Sequence, residues 1–121
     1  MDNIKAIFMD LDGTVLTSDH KVSKNLIKKL QELEKKGVKN FVATGRTFAS
    51  SKPFINMLGI KNPVINYNGG RVVNPLNSEV IFEKPVEAHD AEELIKVSRE
   101  KGIHLNLYMD DKLYIEHETE E

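Results

Sequence analysis

The sequence predicts an α/β fold built on a parallel sheet, and three observations support that prediction. Three short apolar segments typical of buried strands alternate with two longer segments of helical periodicity. Connections of this strand–helix–strand kind form right-handed crossovers between parallel strands. Each apolar segment ends in small and polar residues. Because the carboxyl ends of parallel strands line the ligand crevice of an open sheet, we expect these polar residues to lie together.

The first two elements are a buried strand and an amphipathic helix. Residues 4–9 form a nearly continuous apolar run, which is typical of a strand buried on both faces. Ser23 is a suitable N-cap for the helix that follows, and Gly37 is placed to end it in a left-handed conformation. The helix carries a stripe of apolar residues, which are Leu26, Ile27, Leu30 and Leu33.

The next elements are a second strand, a shorter helix and a third strand. The second strand is predicted over residues 38–43 and the third over residues 63–67. Between them a helix is predicted over about residues 47–58, with Gly59 as its stop. Pro53 lies inside this helix, so the helix either starts near Pro53 or is kinked there.

The pattern changes after residue 70. One hairpin is predicted with strands at 71–73 and 79–82, and a hinge or linker is predicted at residues 84–85. A helix follows, capped by Asp90 in a capping box with Glu93 and ended by Gly102. A second hairpin then turns at residues 110–111. We therefore predict two domains, a core at residues 1–84 and a second at residues 85–121.

Composition narrows the classes of function. The 121 residues include 17 basic and 19 acidic side chains, a near-neutral balance that gives no footprint for nucleic acid or an anionic membrane. No apolar run approaches the roughly 18 residues that a membrane span needs. The chain has no cysteine, which excludes disulfides and thiolate metal sites. The first residues do not resemble a signal peptide, so we predict a cytoplasmic protein.

Asp10 and Asp12 are the strongest candidates for chemistry. Alternate side chains of an extended chain face the same way, so both carboxylates can point to one side while Leu11 points away. Gly13 then allows a sharp turn. Carboxylates this close disfavour each other's ionisation, and a divalent cation removes that cost; oxygen ligands without cysteine favour Mg²⁺. The plain alternative is that these residues only begin a turn, because Asp-Gly is common in turns.

The same residues could carry out phosphoryl transfer. One carboxylate can attack a phosphoryl group to form an aspartyl-phosphate, and the other can protonate the leaving oxygen and then activate water. Thr44 and the Gly45 N–H group, at the end of the second strand, could bind phosphate oxygens.

Three segments resemble the haloacid dehalogenase superfamily. The sequence FMDLDGTVL at residues 8–16 resembles the first motif of that superfamily. The sequence ATGR at residues 43–46 resembles the second motif as it occurs in the Cof-like subfamily, and NYNGG at residues 66–70 is similar to the third strand end of that subfamily. The resemblance covers essentially the whole chain and implies a Rossmann-like core that transfers phosphoryl groups with Mg²⁺.

The resemblance also implies roles for individual residues. Asp10 would be the nucleophile and Asp12 the general acid and base, and Mg²⁺ would be held by the Asp10 carboxylate and the Asp12 backbone carbonyl. Arg46 is equally well explained as an exposed or salt-bridged residue, and Asn68 as the start of a turn. The candidates for phosphate or substrate contact are Thr14, Thr44, Gly45, Arg46 and Asn68.

The spacing of the motifs points to one arrangement within the superfamily. One helix takes up much of the segment between the first two motifs, which leaves no room for a cap domain there. The change after residue 70 resembles the beginning of an α+β cap inserted after the third core strand. That is the Cof-like arrangement, whose members mostly hydrolyse sugar phosphates and related small phosphorylated metabolites.

Two features of the superfamily are missing from these residues. The resemblance calls for a later lysine and a later Gly-Asp-x-x-x-Asp motif, and neither occurs here. We therefore expect an incomplete chain that is inactive by itself. Its first strand would be an exposed edge through which copies could associate.

Two other functions stay open. A phosphomutase of the same superfamily would move phosphate between two hydroxyl groups instead of releasing it. A non-catalytic binding or phospho-acceptor module is the second alternative. Receiver domains of that class carry their acceptor aspartate on the third strand, and residues 66–68 supply none.

Overall fold

The computed structural model describes residues 4–116 and divides the chain into two compact units, Met1–Lys84 and Pro85–Glu121. The first unit holds a parallel pair of strands, β1 at Ala6–Met9 and β2 at Lys39–Val42, joined by helix α1 at Lys24–Lys35. The assignment of the second unit to the beginning of a cap remains a prediction.

The third strand continues the parallel arrangement. Helix α2, at Phe48–Leu58, leads from β2 to strand β3 at Val64–Asn66. A parallel bridge between Ala43 and Ile65 joins the end of β2 to β3. The predicted order of strand, helix, strand, helix and strand, and the parallel α/β class, are therefore confirmed.

An antiparallel hairpin completes the first unit. Strand β4 at Arg71–Val73 pairs with β3 on one side and with strand β5 at Val80–Glu83 on the other. The hairpin was predicted from sequence, although its second strand begins at Val80 and not at residue 79.

Helix α2 begins close to the predicted residue 47, and Thr47 is its N-cap. The Thr47 hydroxyl accepts a hydrogen bond from the Ser50 N–H group at 3.0 Å, and the helix runs through Pro53 to Leu58. The alternative in which the helix starts near Pro53 is therefore wrong. Gly59 ends the helix at a φ of +68°, as expected for a left-handed stop.

The core of the first unit lies between the sheet and its two helices. Leu30, from the predicted stripe of α1, is buried, and Leu26 and Leu33 pack beside it. The buried apolar residues of this cluster are Leu11, Val15, Leu16, Leu30, Val42, Ile55, Leu58, Ile60 and Val64. Because Leu11 stands between Asp10 and Asp12, the core itself anchors the candidate site.

Ile55→Ala is expected to destabilise the protein by about 2–5 kcal/mol, because the Ile55 side chain is fully buried and its loss leaves a cavity. Urea unfolding measures the change. Met57→Ala is the control on the same helix; Met57 is 49% exposed, and we expect a change within about 0.5 kcal/mol. Equal losses in the two variants would contradict this placement of the core.

The prediction that the first strand is buried on both faces is wrong for the described residues. Phe8 is 60% exposed and stacks on Phe41, with ring centroids 4.6 Å apart. Within residues 4–116, β1 pairs with β2 alone, so one face and one edge of the strand have no cover there. Self-association through that edge stays a prediction.

The second unit contains one helix and one hairpin. Helix α3 spans Ala88–Lys101, and strands β6 at Leu107–Met109 and β7 at Lys112–Tyr114 pair antiparallel around the predicted turn. The predicted cap at Asp90 is wrong: Ala91 N–H already donates to the Glu87 carbonyl, so Glu87 is the N-cap and Asp90 lies in the first turn. No helix within the described ranges is long and apolar enough to cross a membrane.

Candidate active site

Asp10 stands at the end of β1 in an extended conformation. One of its carboxylate oxygens accepts the Leu11 N–H group at 2.8 Å, and the residue is exposed. The Met9 carbonyl accepts the Ala43 N–H group at 2.9 Å. Since this bond aligns the ends of β1 and β2, Asp10 and Thr44 follow neighbouring strand ends.

Asp12 lies on a wide turn that immediately follows Asp10. The Leu16 N–H group closes the turn on the Leu11 carbonyl at 2.8 Å, and Gly13 has a φ of +71°, which a side chain would disfavour. Leu11 is fully buried, whereas Asp12 and Thr14 are exposed. The turn therefore fixes its backbone in the core and presents its polar side chains outward.

Thr44 begins a second loop, which is tied to β3. Its N–H group donates to the Ile65 carbonyl at 2.9 Å, and its carbonyl accepts the Asn68 N–H group at 3.2 Å. The buried Thr44 hydroxyl accepts the Arg46 N–H group at 3.2 Å. This loop is therefore held in place from both sides before any ligand binds.

Arg46 joins the two loops through a bidentate ion pair. Its Nε and one Nη donate to the two carboxylate oxygens of Asp12, each at 2.7 Å. The Arg46 guanidinium also lies over the Phe54 ring of α2, with 4.9 Å from Cζ to the ring centroid. A planar fork with two parallel hydrogen bonds is the strong form of this interaction.

The ion pair changes the acidity of both groups. The hydrogen bonds from Arg46, reinforced by its positive charge, lower the pKa of Asp12 against the opposing effect of desolvation. The hydrogen bonds to Asp12 raise the pKa of Arg46. The carboxylate of Asp12 is therefore held as an anion in the absence of ligand.

Arg46→Met is expected to raise the pKa of Asp12 toward its ordinary value, because the variant removes both hydrogen bonds and the positive charge. An NMR titration of the Asp12 carboxyl carbon measures this change. Arg99→Met is the matched control, since Arg99 pairs with Glu116 in the second unit. An Asp12 pKa that did not move in Arg46→Met would refute the ion pair.

Asn68 packs against Gly45. A Cβ atom built on Gly45 would lie 3.0 Å from the Asn68 Oδ1 atom, so the amide fills the space that a side chain would take. Tyr67 and Asn68 both adopt left-handed backbone conformations, with φ of +50° and +53°. Because such conformations are costly for residues with side chains, the hydrogen bonds to the Thr44 loop must hold this turn in place.

The structure brings most of the predicted site residues together at the strand ends. Asp12 meets Arg46 directly, and Gly45 meets Asn68. Thr14 is exposed on the turn that carries Asp12. Residues 4–116 contain no group of three or more histidine, aspartate or glutamate side chains placed to hold a metal ion. Sequence reasoning missed three supporting residues, which are Ser51, Phe54 and Asn66.

These features define an α/β protein with an acidic site at the carboxyl ends of its parallel strands. The family of haloacid dehalogenase-like hydrolases matches residues 7–121 of the chain. The chain therefore belongs to the haloacid dehalogenase-like hydrolases, which confirms the resemblance carried by the motifs.

Individual relatives are similar over most of this chain. It is 30% identical over 115 residues to the pyridoxal phosphate phosphatase of Escherichia coli, covering 95% of this chain and 42% of that protein. It is 36% identical over 81 residues to the phosphoglycolate phosphatase of Methanopyrus kandleri, covering 67% of this chain and 34% of that protein.

A solved phosphatase of the same superfamily from Bacteroides thetaiotaomicron superposes with a TM-score of 0.83 at 30% identity, covering 96% of this chain and 42% of that one. The chain thus spans less than half the length of each of these three proteins.

Proposed function

We propose that this chain carries the nucleophile and the phosphate-binding loop of a Mg²⁺-dependent phosphatase for small phosphorylated metabolites. The observation that supports it most is the placement of Asp10 and Asp12 at one strand end, with the Thr44–Gly45–Arg46 loop at the next. The relatives named for pyridoxal phosphate and phosphoglycolate support the substrate class. A charged phosphate ester does not cross a bilayer freely, so the proposal includes a cytoplasmic location.

The proposed reaction has two steps. In the first, the anionic Asp12 takes a proton from the bound phosphate monoester monoanion, an Asp10 carboxylate oxygen attacks the phosphorus atom, the bond to the leaving oxygen breaks, and Asp12 gives that oxygen the proton. In the second, Asp12 takes a proton from water, the water oxygen attacks the phosphorus of the aspartyl-phosphate, and the Asp10 carboxylate is released with inorganic phosphate. Asp12 then passes its proton to the released phosphate, so protons and electron pairs balance over the cycle and both aspartates return to their anionic starting forms.

The donor atoms at the end of β1 are of the kind that Mg²⁺ prefers. The Asp10 carboxylate is exposed, and one of its oxygens accepts the Leu11 N–H group. The Asp10 carboxylate and the Asp12 backbone carbonyl would hold the ion, since hard oxygen atoms suit it. When bound, Mg²⁺ would neutralise negative charge on the carboxylate and on the phosphoryl oxygens.

Arg46 would bind both the Asp12 carboxylate and the phosphate group of the substrate. A guanidinium has five N–H donors, and the ion pair with Asp12 uses one from Nε and one from Nη. The remaining donors are available for phosphate oxygens. Arg46 would therefore hold the acid and base beside the phosphoryl group, while the Thr44 hydroxyl and the Gly45 N–H group bind its other oxygens.

Removal of metal tests this proposal. Because this chain matches less than half of each relative, the assay uses the product of the complete reading frame. We expect phosphate release from a panel of small phosphomonoesters with Mg²⁺, loss of release in EDTA, and recovery when Mg²⁺ is restored. Transfer to a second hydroxyl of the substrate without free phosphate would indicate a mutase. Binding of phosphate esters without turnover would indicate a binding module, and either result would reject the proposal.

A further inference from the structure

We infer that Asn66 is a positioning residue that sets the place of Arg46 in the site, an inference that rests on the proposed function. Asn66 is the last residue of β3 and is fully buried. Its Nδ2 group donates to the Arg46 carbonyl and to the Ser51 hydroxyl, each at 3.1 Å. One amide thus connects the end of β3, the loop after β2 and the first turns of α2.

The orientation of this amide is fixed by its partners. The Arg46 carbonyl can only accept hydrogen bonds, and the Ser51 hydroxyl donates its own proton to the Phe48 carbonyl at 3.1 Å. Both partners therefore accept a hydrogen bond from the Asn66 amide nitrogen, and neither has a proton to donate to the amide oxygen. The Asn66 Oδ1 atom is left buried without a partner, which opposes folding.

Asn66 helps to position both the backbone and the side chain of Arg46. At the backbone, the Arg46 carbonyl accepts the Asn66 amide and also the Tyr67 N–H group at 3.2 Å. At the side chain, the bond from Asn66 to Ser51 holds α2, and α2 carries the Phe54 ring on which the Arg46 guanidinium rests. Because both ends are fixed, the guanidinium stands where it can bind Asp12 and phosphate together.

The chain supplies a matched control in Asn40. Asn40 is also a buried asparagine whose Nδ2 group donates to a carbonyl, that of Leu30 at 3.1 Å, and whose Oδ1 atom is unpartnered. Its bond joins β2 to α1 and does not reach the loop after β2. Replacement of Asn40 removes one buried amide hydrogen bond and replacement of Asn66 removes two, and only replacement of Asn66 acts on Arg46.

The experiment compares Asn66→Asp and Asn66→Ala with Asn40→Asp and Asn40→Ala in the product of the complete reading frame. NMR of the Arg46 Nε–H group, which donates to Asp12, is the readout that does not depend on activity. We expect this resonance to shift or broaden in the Asn66 variants and to stay in place in the Asn40 variants. Both pairs should lower the urea midpoint, the Asn66 variants by more, because they lose two buried hydrogen bonds and the Asn40 variants lose one.

Kinetics provide the second readout. With folded protein, we expect about a tenfold rise in KM for p-nitrophenyl phosphate and in the inhibition constant of inorganic phosphate for the Asn66 variants, with a smaller change in kcat, since Arg46 binds phosphate in ground and transition states alike. The Asn40 variants should stay within about twofold. Ser51→Ala removes only one of the two hydrogen bonds of Asn66 and should therefore give an intermediate rise in KM. This variant takes the place of the Asn66 variants if they do not fold.

The two readouts separate failure of this inference from failure of the proposed function. An unchanged Arg46 Nε–H resonance in folded Asn66 or Ser51 variants would overturn the inference even if the enzyme is an active phosphatase. A shifted resonance in a protein without phosphatase activity would support the positioning role and reject the proposed reaction. Equal rises in KM for the Asn66 and Asn40 variants would show a general structural effect and overturn the inference.

Discussion

Asp10→Asn is expected to abolish hydrolysis of p-nitrophenyl phosphate by the product of the complete reading frame. The amide oxygen of asparagine is a far weaker nucleophile than a carboxylate, so no acyl-phosphate can form. The structure favours this test because an amide has nearly the shape of the carboxylate and its oxygen can still accept the Leu11 N–H group. The turn should therefore survive the substitution.

Capture of the intermediate gives the direct form of the test. Beryllium fluoride, which binds aspartyl-phosphate sites as an analogue of the phosphoryl group, should add to the wild type and not to Asp10→Asn. Asp19→Asn is the control, because Asp19 is an exposed aspartate that pairs with Lys21 in the nearby turn. Retained turnover in Asp10→Asn, or equal losses in the two variants, would assign the nucleophile to another residue.

Asp12→Ala is expected to lower kcat by about 10²–10⁴, the range that one positioned acid and base supplies. Both proposed steps move a proton through Asp12, so single-turnover experiments should show slow formation and slow hydrolysis of the intermediate. The variant also removes the carboxylate that pairs with Arg46 in the site. We therefore expect phosphate to bind at least as tightly as in the wild type while the chemistry slows.

A second ion pair provides the control for Asp12→Ala. Glu34 pairs with Lys61 at 3.2 Å between exposed side chains, and neither residue lies at the carboxyl end of a strand, so Glu34→Ala should leave kcat within about twofold. Single-turnover rates of Asp12→Ala within a few-fold of the wild type would show that another group carries the proton.

Local features of the site could be predicted from the sequence because interactions between residues close in sequence determine them. Each of these features depends only on residues close by in the sequence. They are the apolar run before Asp10, the small residue at Gly13 and the polar end of the second strand. Leu11 shows the reason, since alternation along an extended chain sends it to the core whatever the rest of the fold does.

Long-range features of the site could not be predicted in this way. Arg46 and Asp12 are 34 residues apart in sequence, and they meet only because β1 and β2 end in the same register. The apolar first strand indicated burial on both faces, but no local signal tells which element covers each face. At Asp90 the capping pattern was present, yet the helix had already begun at Ala88.

Asn66 was missed for a related reason. In the sequence it is one polar residue after Val64 and Ile65, and a strand can end with such a residue for no functional reason. Its position two residues after the buried Val64 places it on the same, inward face of the strand. That alternation was the available signal, since a buried amide must find partners on the elements packed against it.

The main-chain hydrogen bonds at the strand ends determine which positions of the site can change in sequence among family members. The N–H groups of Ala43, Thr44 and Asn68 hold the two loops through bonds to carbonyl groups, and any residue except proline can supply such a bond. Substitutions can therefore accumulate at positions such as 43 and 65 without moving the loops. Position 45, where a side chain would meet Asn68, should be far less free to vary. A relative at 30% identity can thus keep the same backbone.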